Sequence, residues 1–310
     1  MATYLISGGA GFIGSNLIKR LLEIPEAKVI CVDNLITGKK ENLAEFMDRP
    51  NFQFIEHDII QPINLSEKID YVLNLACPAS PVDYRKHPIE TLEVSSIGTK
   101  NMLEIASQNK ARFFHTSTSE VYGDPLVHPQ KESYWGHVNS YGERSCYDEA
   151  KRYAEALIYY YRNDFGVNTG IIRIFNTYGP KMGAYDGRVV SNFIRQALDG
   201  EDITIYGDGK QSRSFCYIDD QVEAELKMIH SDLEGPINIG NPDEFTMLEL
   251  AEKVLAQTGS KSKLVYKPLP KDDPTQRKPD ITLAKEKLNW EPKVKLDEGL
   301  EKTIEWFKKK

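Results

Sequence analysis

A glycine-rich turn near the start of the chain constrains the fold more than any other feature of the sequence. The run Gly8-Gly9-Ala10-Gly11-Phe12-Ile13-Gly14 lies between a short apolar, strand-like segment and a stretch with apolar residues at helical spacing. Glycines there permit a tight turn and let the backbone approach a pyrophosphate, which the amino end of the following helix attracts. Asp33 ends the next strand-like run, nineteen positions after Gly14, where an acidic residue accepts hydrogen bonds from an adenosine ribose. The pattern predicts a βαβ unit that binds a dinucleotide.

The charge of Asp33 favours NAD over NADP, because a carboxylate repels the extra phosphate of NADP. Lys39 and Lys40 oppose this choice, but solvated loop charges are the simpler interpretation of the two lysines. Asp58 is expected to end the third strand. It either contacts the adenine amino group or caps a turn, and the sequence leaves both roles open.

Strand-like apolar runs alternate with helical patterns over the first half of the chain. The clearest strand-like runs are Tyr4-Leu5-Ile6, Val29-Ile30-Cys31-Val32, Phe52-Gln53-Phe54-Ile55, Tyr71-Val72-Leu73, Ala111-Arg112-Phe113-Phe114 and Gly170-Ile171-Ile172-Arg173-Ile174. This alternation predicts an α/β fold, a Rossmann-type doubly wound parallel sheet with helices on both faces. After about Gly179, Gly and Pro become frequent, which indicates a smaller C-terminal part built from loops and short elements.

Composition excludes several function classes. The 310 residues include 46 acidic and 39 basic side chains, a net charge of −7, whereas a nucleic-acid surface usually brings a basic excess. No apolar run approaches a membrane span, and strand-like residues begin at Thr3, so we expect neither a membrane segment nor a signal peptide. The four cysteines are scattered, which suits a reduced cytoplasmic protein, and the six histidines lack metal-ligand spacing. We therefore expect no metal.

A tyrosine and a lysine lie four residues apart in the run Tyr147-Asp148-Glu149-Ala150-Lys151. On a helix they share one face, and a nearby ammonium favours the phenolate and lowers the tyrosine pKa. Such a tyrosine can take a hydroxyl proton while hydride leaves for NAD. An ordinary exposed helix pair is the alternative, since this spacing is common by itself. The hydroxyl residue Thr118, about thirty positions upstream, makes the pattern more specific.

Together Gly8, Gly11, Gly14, Thr118, Tyr147 and Lys151 resemble the motifs of the extended short-chain dehydrogenase/reductase superfamily, and the chain is similar to its sugar-nucleotide enzymes from end to end. The resemblance implies that Thr118, Tyr147 and Lys151 form the catalytic triad. It also implies two domains. Residues 1–178 plus about 213–239 would bind NAD, and about 179–212 plus 240–310 would form the smaller nucleotide-sugar-binding domain.

The run Thr118-Ser119-Glu120 distinguishes among the reactions of these enzymes. The 4-epimerases have a Ser-Ser-Ala-Thr run here, and the 4,6-dehydratases have Thr-Asp-Glu. Ser119 replaces the dehydratase aspartic acid, and serine is a poor general acid at neutral pH. A simple epimerase would not need Glu120. Thr-Ser-Glu resembles the UDP-glucuronate decarboxylase family.

Other segments resemble the same family. They are HPQKESYWGHVN, CYDEAKR, IFNTYGPKM, DGRVVSNFI and DDPTQRKPDI. One departure is Asn139-Ser140-Tyr141-Gly142-Glu143-Arg144, where the family usually shows Asn-Pro-Ile-Gly before the arginine. The departure puts the shape of that loop in question, but not the flanking Tyr147.

The resemblance implies NAD-dependent conversion of UDP-glucuronate to UDP-xylose. Oxidation at sugar C4 makes a β-keto acid, which loses carbon dioxide because the remaining electrons delocalise into the ketone. Protonation at C5 and return of the hydride complete the reaction, so NAD should stay tightly bound. Tyr147 is the expected base for the C4 hydroxyl, Lys151 tunes it, and Thr118 hydrogen-bonds the C4 oxygen. Ser119, Glu120 and Arg277 are expected on the C5 side. There Glu120 either destabilises the ground state beside the departing carboxylate or relays a proton through water, and Arg277 either aids protonation or binds phosphate.

The remaining expectations concern binding and assembly. The expected cofactor-binding residues are Gly8, Gly11, Phe12, Ile13, Gly14, Asp33, Asn34, Asp58, Ile59, Leu75, Tyr147 and Lys151. The expected substrate-binding residues are Tyr84, Asn176, Arg188, Asn192, Tyr206, Gln211, Arg213 and Arg277. The superfamily implies a homodimer, formed through helices near 90–108 and 146–163. A UDP-sugar 4-epimerase, a nucleotide-sugar 4,6-dehydratase and a non-catalytic NAD-binding sensor are the alternative functions.

Overall fold

The computed structural model describes residues 2–269 and 276–309, so the start of the DDPTQRKPDI segment lies outside the described residues. The strands are β1 (Ala2–Ser7), β2 (Ala27–Asp33), β3 (Phe52–Glu56), β4 (Tyr71–Asn74), β5 (Arg112–Thr118), β6 (Thr169–Ile174), β7 (Thr177–Tyr178), β8 (Ile203–Tyr206), β9 (Ser212–Ser214), β10 (Cys216–Tyr217), β11 (Ile237–Ile239), β12 (Glu244–Thr246), β13 (Leu264–Lys267) and β14 (Gln276–Arg277).

The α-helices are α1 (Phe12–Leu21), α2 (Pro81–Lys86), α3 (Pro88–Glu93), α4 (Thr99–Asn109), α5 (Ser145–Phe165), α6 (Val189–Asp199), α7 (Ile218–Ile229), α8 (Met247–Thr258), α9 (Thr282–Leu288) and α10 (Leu296–Lys308). A π-helical segment, Val94–Gly98, joins α3 to α4. Two short 3₁₀ helices span Lys40–Leu43 and Ser119–Tyr122. No helix in residues 2–269 and 276–309 is both long and apolar enough to cross a membrane.

A seven-stranded sheet forms the centre of the protein, in the order β11-β6-β5-β4-β1-β2-β3. Every neighbouring pair of strands in it is parallel. Strand β5 is buried along its whole length, as expected for a strand covered by helices on both faces. Tyr4 and Ile6 pack into one apolar core and Leu5 into a second one, because successive side chains of a strand point to opposite faces. The predicted doubly wound α/β fold is confirmed.

The chain reverses its direction of travel across the sheet at β1, which pairs with β2 on one side and β4 on the other. Ligands of open parallel sheets bind at such a switch point, beyond the carboxyl ends of the strands. The glycine run directly follows β1, so the fold places it at this crevice. One predicted boundary is wrong: β3 ends at Glu56, and Asp58 lies two residues beyond the strand, at the start of a turn in which its carbonyl oxygen accepts from the Gln61 amide.

The later half of the chain adds three small sheets beside the main one. Strand β8 pairs with β13, β9 pairs with β12 and β14, and β7 pairs with β10. Arg277 lies in β14, in register with Arg213 of β9. Short elements therefore place side chains from the end of the chain near the carboxyl edge of the main sheet. The exact domain boundaries stay a prediction.

Candidate active site

The backbone of the glycine turn is packed so closely that Gly8 and Gly14 leave no space for a side chain. Gly8 has φ +73°, and a Cβ atom there would lie 2.7 Å from the backbone of Ala76. At Gly14, a Cβ atom would lie 2.4 Å from the carbonyl oxygen of Gly8. Helix α1 begins after Gly11 without a side-chain cap from any described residue, which leaves its first N–H groups for an anion. The turn therefore fits a dinucleotide pyrophosphate.

Asp33 lies beside this turn, at the end of β2. Its Oδ2 accepts a hydrogen bond from the Ala10 amide and its Oδ1 one from the Leu35 amide, both at 2.9 Å. Burial raises the pKa of Asp33, and the two amide donors oppose that shift. A carboxylate oxygen held by one donor still has a lone pair for a ribose hydroxyl.

Asp58 is bonded to its neighbours as well as facing the cofactor cavity. Its Oδ2 accepts from Asn34 Nδ2 at 2.9 Å, and its Oδ1 accepts from the Ile60 amide at 3.0 Å. The second bond is the turn cap that the sequence allowed. Because Asp58 also lines the cavity, adenine contact stays a prediction alongside the cap.

The first of two adjoining cavities, of about 480 Å³, contains the glycine turn. The structure brings together here all the predicted cofactor-binding residues except Tyr147: Gly8, Gly11, Phe12, Ile13, Gly14, Asp33, Asn34, Asp58, Ile59, Leu75 and Lys151. Their individual roles stay predictions. The geometry shows that residues just after β1 and β4, together with residues of α1, β2 and α5, line one cavity.

The second cavity, of about 710 Å³, contains the predicted substrate-binding residues. These are Tyr84, Asn176, Arg188, Asn192, Tyr206, Gln211, Arg213 and Arg277, and they lie together with Thr118, Ser119, Glu120 and Tyr147. Ile13, Ala79, Ile174, Met182 and Arg188 line both cavities. Tyr147 faces the second cavity and Lys151 the first. The tyrosine–lysine pair therefore lies where the two cavities meet.

Tyr147 is buried and held on two sides. Its ring stacks on the ring of Tyr84 with centroids 5.2 Å apart, and its hydroxyl is hydrogen-bonded to Thr118. Burial raises the pKa of Tyr147, and nearby Cys77 adds to the shift. The predicted lowering by Lys151 is therefore wrong for this structure, because burial dominates and the Lys151 ammonium donates instead to the Thr116 carbonyl oxygen at 2.9 Å.

Glu120 follows β5 in the 3₁₀ helix and is paired with two arginines. Arg144 Nη2 lies 2.6 Å from Glu120 Oε2, and Arg277 Nη2 lies 3.4 Å from the same oxygen. Burial pushes the pKa of Glu120 upward, but the two guanidinium groups outweigh it and lower the pKa to about 2. The carboxylate is thus ionised at neutral pH and electrically compensated.

Arg277 is almost fully buried and fixes the turn that carries Ser119 and Glu120. Its Nη1 donates to Ser119 Oγ at 2.9 Å, and its Nη2 donates to the Gly123 carbonyl oxygen at 2.9 Å. Its Nε atom is buried without a hydrogen-bond partner among the described residues. Arg277 therefore positions this turn, and its buried Nε–H group is left unsatisfied by the described residues.

Arg144 and Asp148 also belong to the site, although neither was predicted from the sequence as a site residue. Arg144 precedes α5 and lies in the loop that departs from the family pattern, and its guanidinium lies over the Tyr84 ring, 5.9 Å from the centroid. Asp148 lies one helical turn after Arg144. The available signal was their spacing of four residues around Tyr147, but nothing in the sequence showed that Glu120 would meet them.

Cationic side chains dominate the second cavity even though the whole chain is acidic. Glu120 is the one acidic residue among the described residues that line it. The cationic ones are Arg85, Arg144, Arg188, Arg195, Arg213, Lys267 and Arg277. Such a lining concentrates anionic ligands. Two cavities that share a wall, one with a pyrophosphate cradle and one rich in arginine, indicate a dinucleotide site beside an anionic substrate site.

Comparison with known proteins agrees with this geometry. A family model described as GDP-mannose 4,6 dehydratase matches residues 5–303. UDP-glucuronic acid decarboxylase 5 of Arabidopsis thaliana is 54% identical over 296 residues, which are 96% of this chain and 86% of that protein. The chain belongs to the UDP-glucuronic acid decarboxylase family. The resemblance to that family and to the extended short-chain dehydrogenase/reductase superfamily is confirmed.

Solved structures extend the comparison from the family to its fold. A UDP-glucose 4-epimerase of Thermotoga maritima, solved with UDP-glucose, has a TM-score of 0.91 and 35% identity, covering 99% of both chains. A UDP-glucuronic acid 4-epimerase of Bacillus cereus, solved with UDP-glucuronic acid and NAD, has a TM-score of 0.89 and 28% identity, again covering 99% of both chains. The decarboxylase family thus shares its architecture with the epimerases, and the side chains of the site must decide the reaction.

Proposed function

We propose that this protein converts UDP-glucuronate to UDP-xylose and carbon dioxide, with NAD bound throughout the cycle. The observation that carries the proposal is the position of Glu120. It lies next to Thr118 and Ser119, is held by Arg144 and Arg277, and faces the same cavity as Tyr147. This places a compensated carboxylate beside the oxidation site, in a cavity whose lining favours an acidic sugar nucleotide.

NAD fits the first cavity through the cradle of Gly8 and Gly14, the open amino end of α1 and the carboxylate of Asp33. When bound, it supplies the hydride acceptor for C4 of the sugar and the hydride donor for the final reduction. Lys151 lines the same cavity and is anchored to the Thr116 carbonyl oxygen, so its ammonium is positioned to hold a ribose hydroxyl.

Tyr147 takes the proton from the C4 hydroxyl and returns it at the end of the cycle. Its ring is fixed by the stack on Tyr84, and Thr118 shares the hydrogen bond at its hydroxyl. Because burial raises the pKa of Tyr147, the phenolate needs positive charge nearby. Lys151, one turn along the same helix, donates to the Thr116 carbonyl oxygen, so it orients the site rather than pairing with the phenol.

The C5 side of the sugar is assigned to Ser119, Glu120 and Arg277. Arg277 links the Ser119 hydroxyl to the Glu120 carboxylate, and its side chain lines the second cavity. A guanidinium there would hold the substrate carboxylate until the C4 ketone forms. Loss of carbon dioxide then leaves an enolate at C4–C5, and a proton must be delivered to C5. Because Glu120 is ionised, with a pKa of about 2, it would act by polarising the water that delivers this proton.

Two alternative reactions use the same C4 oxidation. A 4,6-dehydratase needs an acid where this chain has Ser119, whose hydroxyl accepts from Arg277 and is a poor proton donor. A 4-epimerase has no need for Glu120 between two arginines. A non-catalytic NAD sensor would not need Thr118, Tyr147 and Lys151 together at the junction of two cavities.

The direct test is incubation of the purified protein with UDP-glucuronate labelled with carbon-13 at the carboxyl group. The proposal predicts labelled carbon dioxide and a pentose nucleotide in equal amounts. UDP-galacturonate without carbon dioxide would identify an epimerase and overturn the proposal. Failure to turn over any sugar nucleotide despite bound NAD would favour the sensor.

We also propose that residues 179–212 and 240–310 bind the nucleotide-sugar. In support, Asn192, Tyr206, Gln211 and Arg277 all line the second cavity. Amide hydrogen exchange should therefore slow in these ranges when UDP-xylose is added. Slowing restricted to residues 1–178 would contradict this division.

We further propose a homodimer that works in the cytoplasm. Tyr153, Tyr159 and Tyr160 on α5 and Ile89 on α3 are exposed, an apolar surface larger than a solvated helix needs. All four cysteines are free thiols, which suits a reducing compartment. Light scattering should give a dimer mass that Tyr160→Glu reduces toward a monomer. A monomeric parent protein, or its recovery from an oxidising compartment on cell fractionation, would contradict the respective proposal.

A further inference from the structure

We propose that Asp148 is a positioning residue that competes with Glu120 for the guanidinium group of Arg144 and so controls how tightly the second cavity binds an acidic sugar nucleotide. The inference rests on the proposed function, because it concerns recognition of the substrate carboxylate. Asp148 itself does not line the second cavity in the described structure. It acts through Arg144.

Arg144 bridges two carboxylates that come from different parts of the fold. Its Nη2 lies 2.6 Å from Glu120 Oε2, and its Nε lies 3.9 Å from Asp148 Oδ2. The side chains of Arg144 and Asp148 are only 12% and 8% exposed. Asp148 Oδ1 is buried without a hydrogen-bond partner among the described residues. Asp148 therefore depends on a guanidinium that Glu120 already holds at shorter range.

Burial and the nearby Glu120 carboxylate raise the pKa of Asp148 to about 7, although Arg144 and Arg277 oppose the shift. The ionisable groups facing Asp148 are Tyr84 from α2, Glu120 from the 3₁₀ helix, Arg277 from β14, and Arg144, Cys146, Tyr147 and Glu149 around its own helix. No histidine is among the described residues that line the second cavity. Asp148 is therefore the group of this cluster whose charge changes near neutral pH.

The charge of the cluster follows from the state of Asp148. With Asp148 neutral, Arg144 and Arg277 outweigh Glu120 by one positive charge. With Asp148 ionised, the four charges cancel, and Arg144 is drawn along α5 away from Glu120. An acidic sugar should bind well to the first state and less well to the second. A neutral sugar on the same nucleotide should hardly distinguish them.

Calorimetric titration with UDP-glucuronate and UDP-xylose tests this difference, because the two ligands differ only by the carboxyl group. Tyr147→Phe is used as the background so that UDP-glucuronate is not consumed. The dissociation constant for UDP-glucuronate should rise about tenfold from about pH 6 to about pH 8, the factor for one unit of pKa coupling. The constant for UDP-xylose should change by less than about twofold over the same range.

Asp148→Asn in the same background should keep UDP-glucuronate binding tight at both pH values. Glu149→Gln is the matched control, because it removes one carboxylate at the adjacent, more exposed position. It should keep the pH dependence of UDP-glucuronate binding and lower its midpoint only slightly, since Glu149 is the smallest of the named contributions to the raised pKa of Asp148. Equal pH dependence for the two ligands, or an unchanged pH dependence in Asp148→Asn, would overturn the proposal while leaving the decarboxylase function standing. Absence of UDP-glucuronate binding at every pH would instead defeat both.

A measurement without any ligand covers the case in which Asp148→Asn fails to fold. Difference infrared spectra of the parent protein, with carbon-13 in its aspartate carboxyl groups, should show a protonated carboxyl band that disappears as pH rises through about 7. Arg144→Lys, which keeps the charge but shortens the reach of the side chain, should move that transition. A parent spectrum without a protonated aspartate at about pH 6 would overturn the proposal.

Discussion

The ring of Tyr84 lies parallel to the ring of Tyr147, with centroids 5.2 Å apart and planes 10° apart. Tyr84 is held in turn from α2, and Arg144 lies over its ring. The orientation of Tyr147 is therefore fixed by ring packing, which does not depend on its hydroxyl group. This separates the chemical role of Tyr147 from its structural role and makes the hydroxyl testable by itself.

Tyr147→Phe should keep the fold and NAD binding, because the ring stack on Tyr84 remains. Formation of the C4 ketone should fall by at least the ~10²-fold typical of losing a positioned acid–base group. Rapid-mixing absorbance at the nicotinamide band would measure it. Tyr160→Phe on the exposed face of α5 is the matched control and should leave the rate of C4 ketone formation unchanged. Near-normal turnover of the Tyr147 variant would remove this residue from the mechanism.

Asp33→Asn should weaken NAD binding and improve the relative binding of NADP, because it removes a negative charge near the ribose 2′ position. It should also destabilise the protein by about 1–3 kcal/mol. The backbone N–H groups of Ala10 and Leu35 each donate a hydrogen bond to one Asp33 oxygen, and in asparagine one of these oxygens is replaced by an NH₂ group that cannot accept. Cofactor titrations and denaturant unfolding would measure the two effects. Glu56→Gln, at the exposed register neighbour of Asp33 on β3, is the control, and an unchanged cofactor preference in Asp33→Asn would place the ribose elsewhere.

Glu120→Gln should separate oxidation at C4 from the chemistry at C5. Glutamine keeps the size of the side chain, but it cannot carry the negative charge that polarises the water beside C5. Tyr147, Lys151 and Thr118 remain, so oxidation should persist while decarboxylation or C5 protonation slows. Reduced cofactor should therefore accumulate in a single-turnover absorbance trace with UDP-glucuronate. If the variant makes UDP-xylose at the parent rate, Glu120 is only a loop residue.

Glu120→Gln should also change the pH dependence of the free energy of unfolding. The folded pKa of Glu120 is lowered from 4.5 to about 2. The stabilisation that ionised Glu120 gives the folded state is therefore fully present above about pH 4.5 and is lost as pH falls toward about 2. Above pH 5 it amounts to on the order of 2–3 kcal/mol of unfolding free energy. Denaturant unfolding should show parent and Glu120→Gln converging as pH falls, and a constant difference would mean that the pairs with Arg144 and Arg277 contribute nothing.

Local sequence patterns predicted much of the fold and of the cofactor cavity. The glycine run, Asp33 and the buried strands are close in sequence, and their roles follow from backbone conformation and side-chain period. The end of β3 was misplaced by two residues, because no Gly or Pro lies between Glu56 and Asp58 to mark it.

The C5 side was predicted only through resemblance, since it depends on tertiary packing. Glu120 and Arg277 are 157 residues apart in sequence, and β14 reaches β9 through a parallel pairing that no periodicity indicates. The direction of the Tyr147 pKa shift could not be predicted from the sequence either. Spacing placed Lys151 on the same helix face, but burial and the Thr116 carbonyl oxygen decide the outcome.

The central claim is that one bound NAD oxidises and then reduces the same sugar carbon. Two parallel incubations of the parent protein without added cofactor test it. In one, UDP-glucuronate carries deuterium at C4 and the solvent is ordinary water; in the other, the substrate is unlabelled and the solvent is deuterium oxide. We expect UDP-xylose that keeps deuterium at C4 in the first incubation and carries one deuterium at C5 in the second, as read by proton NMR and mass spectrometry. Loss of deuterium from C4 in the first incubation would show that the hydride does not return to the carbon it left, and absence of deuterium from C5 in the second would show that the proton does not come from solvent.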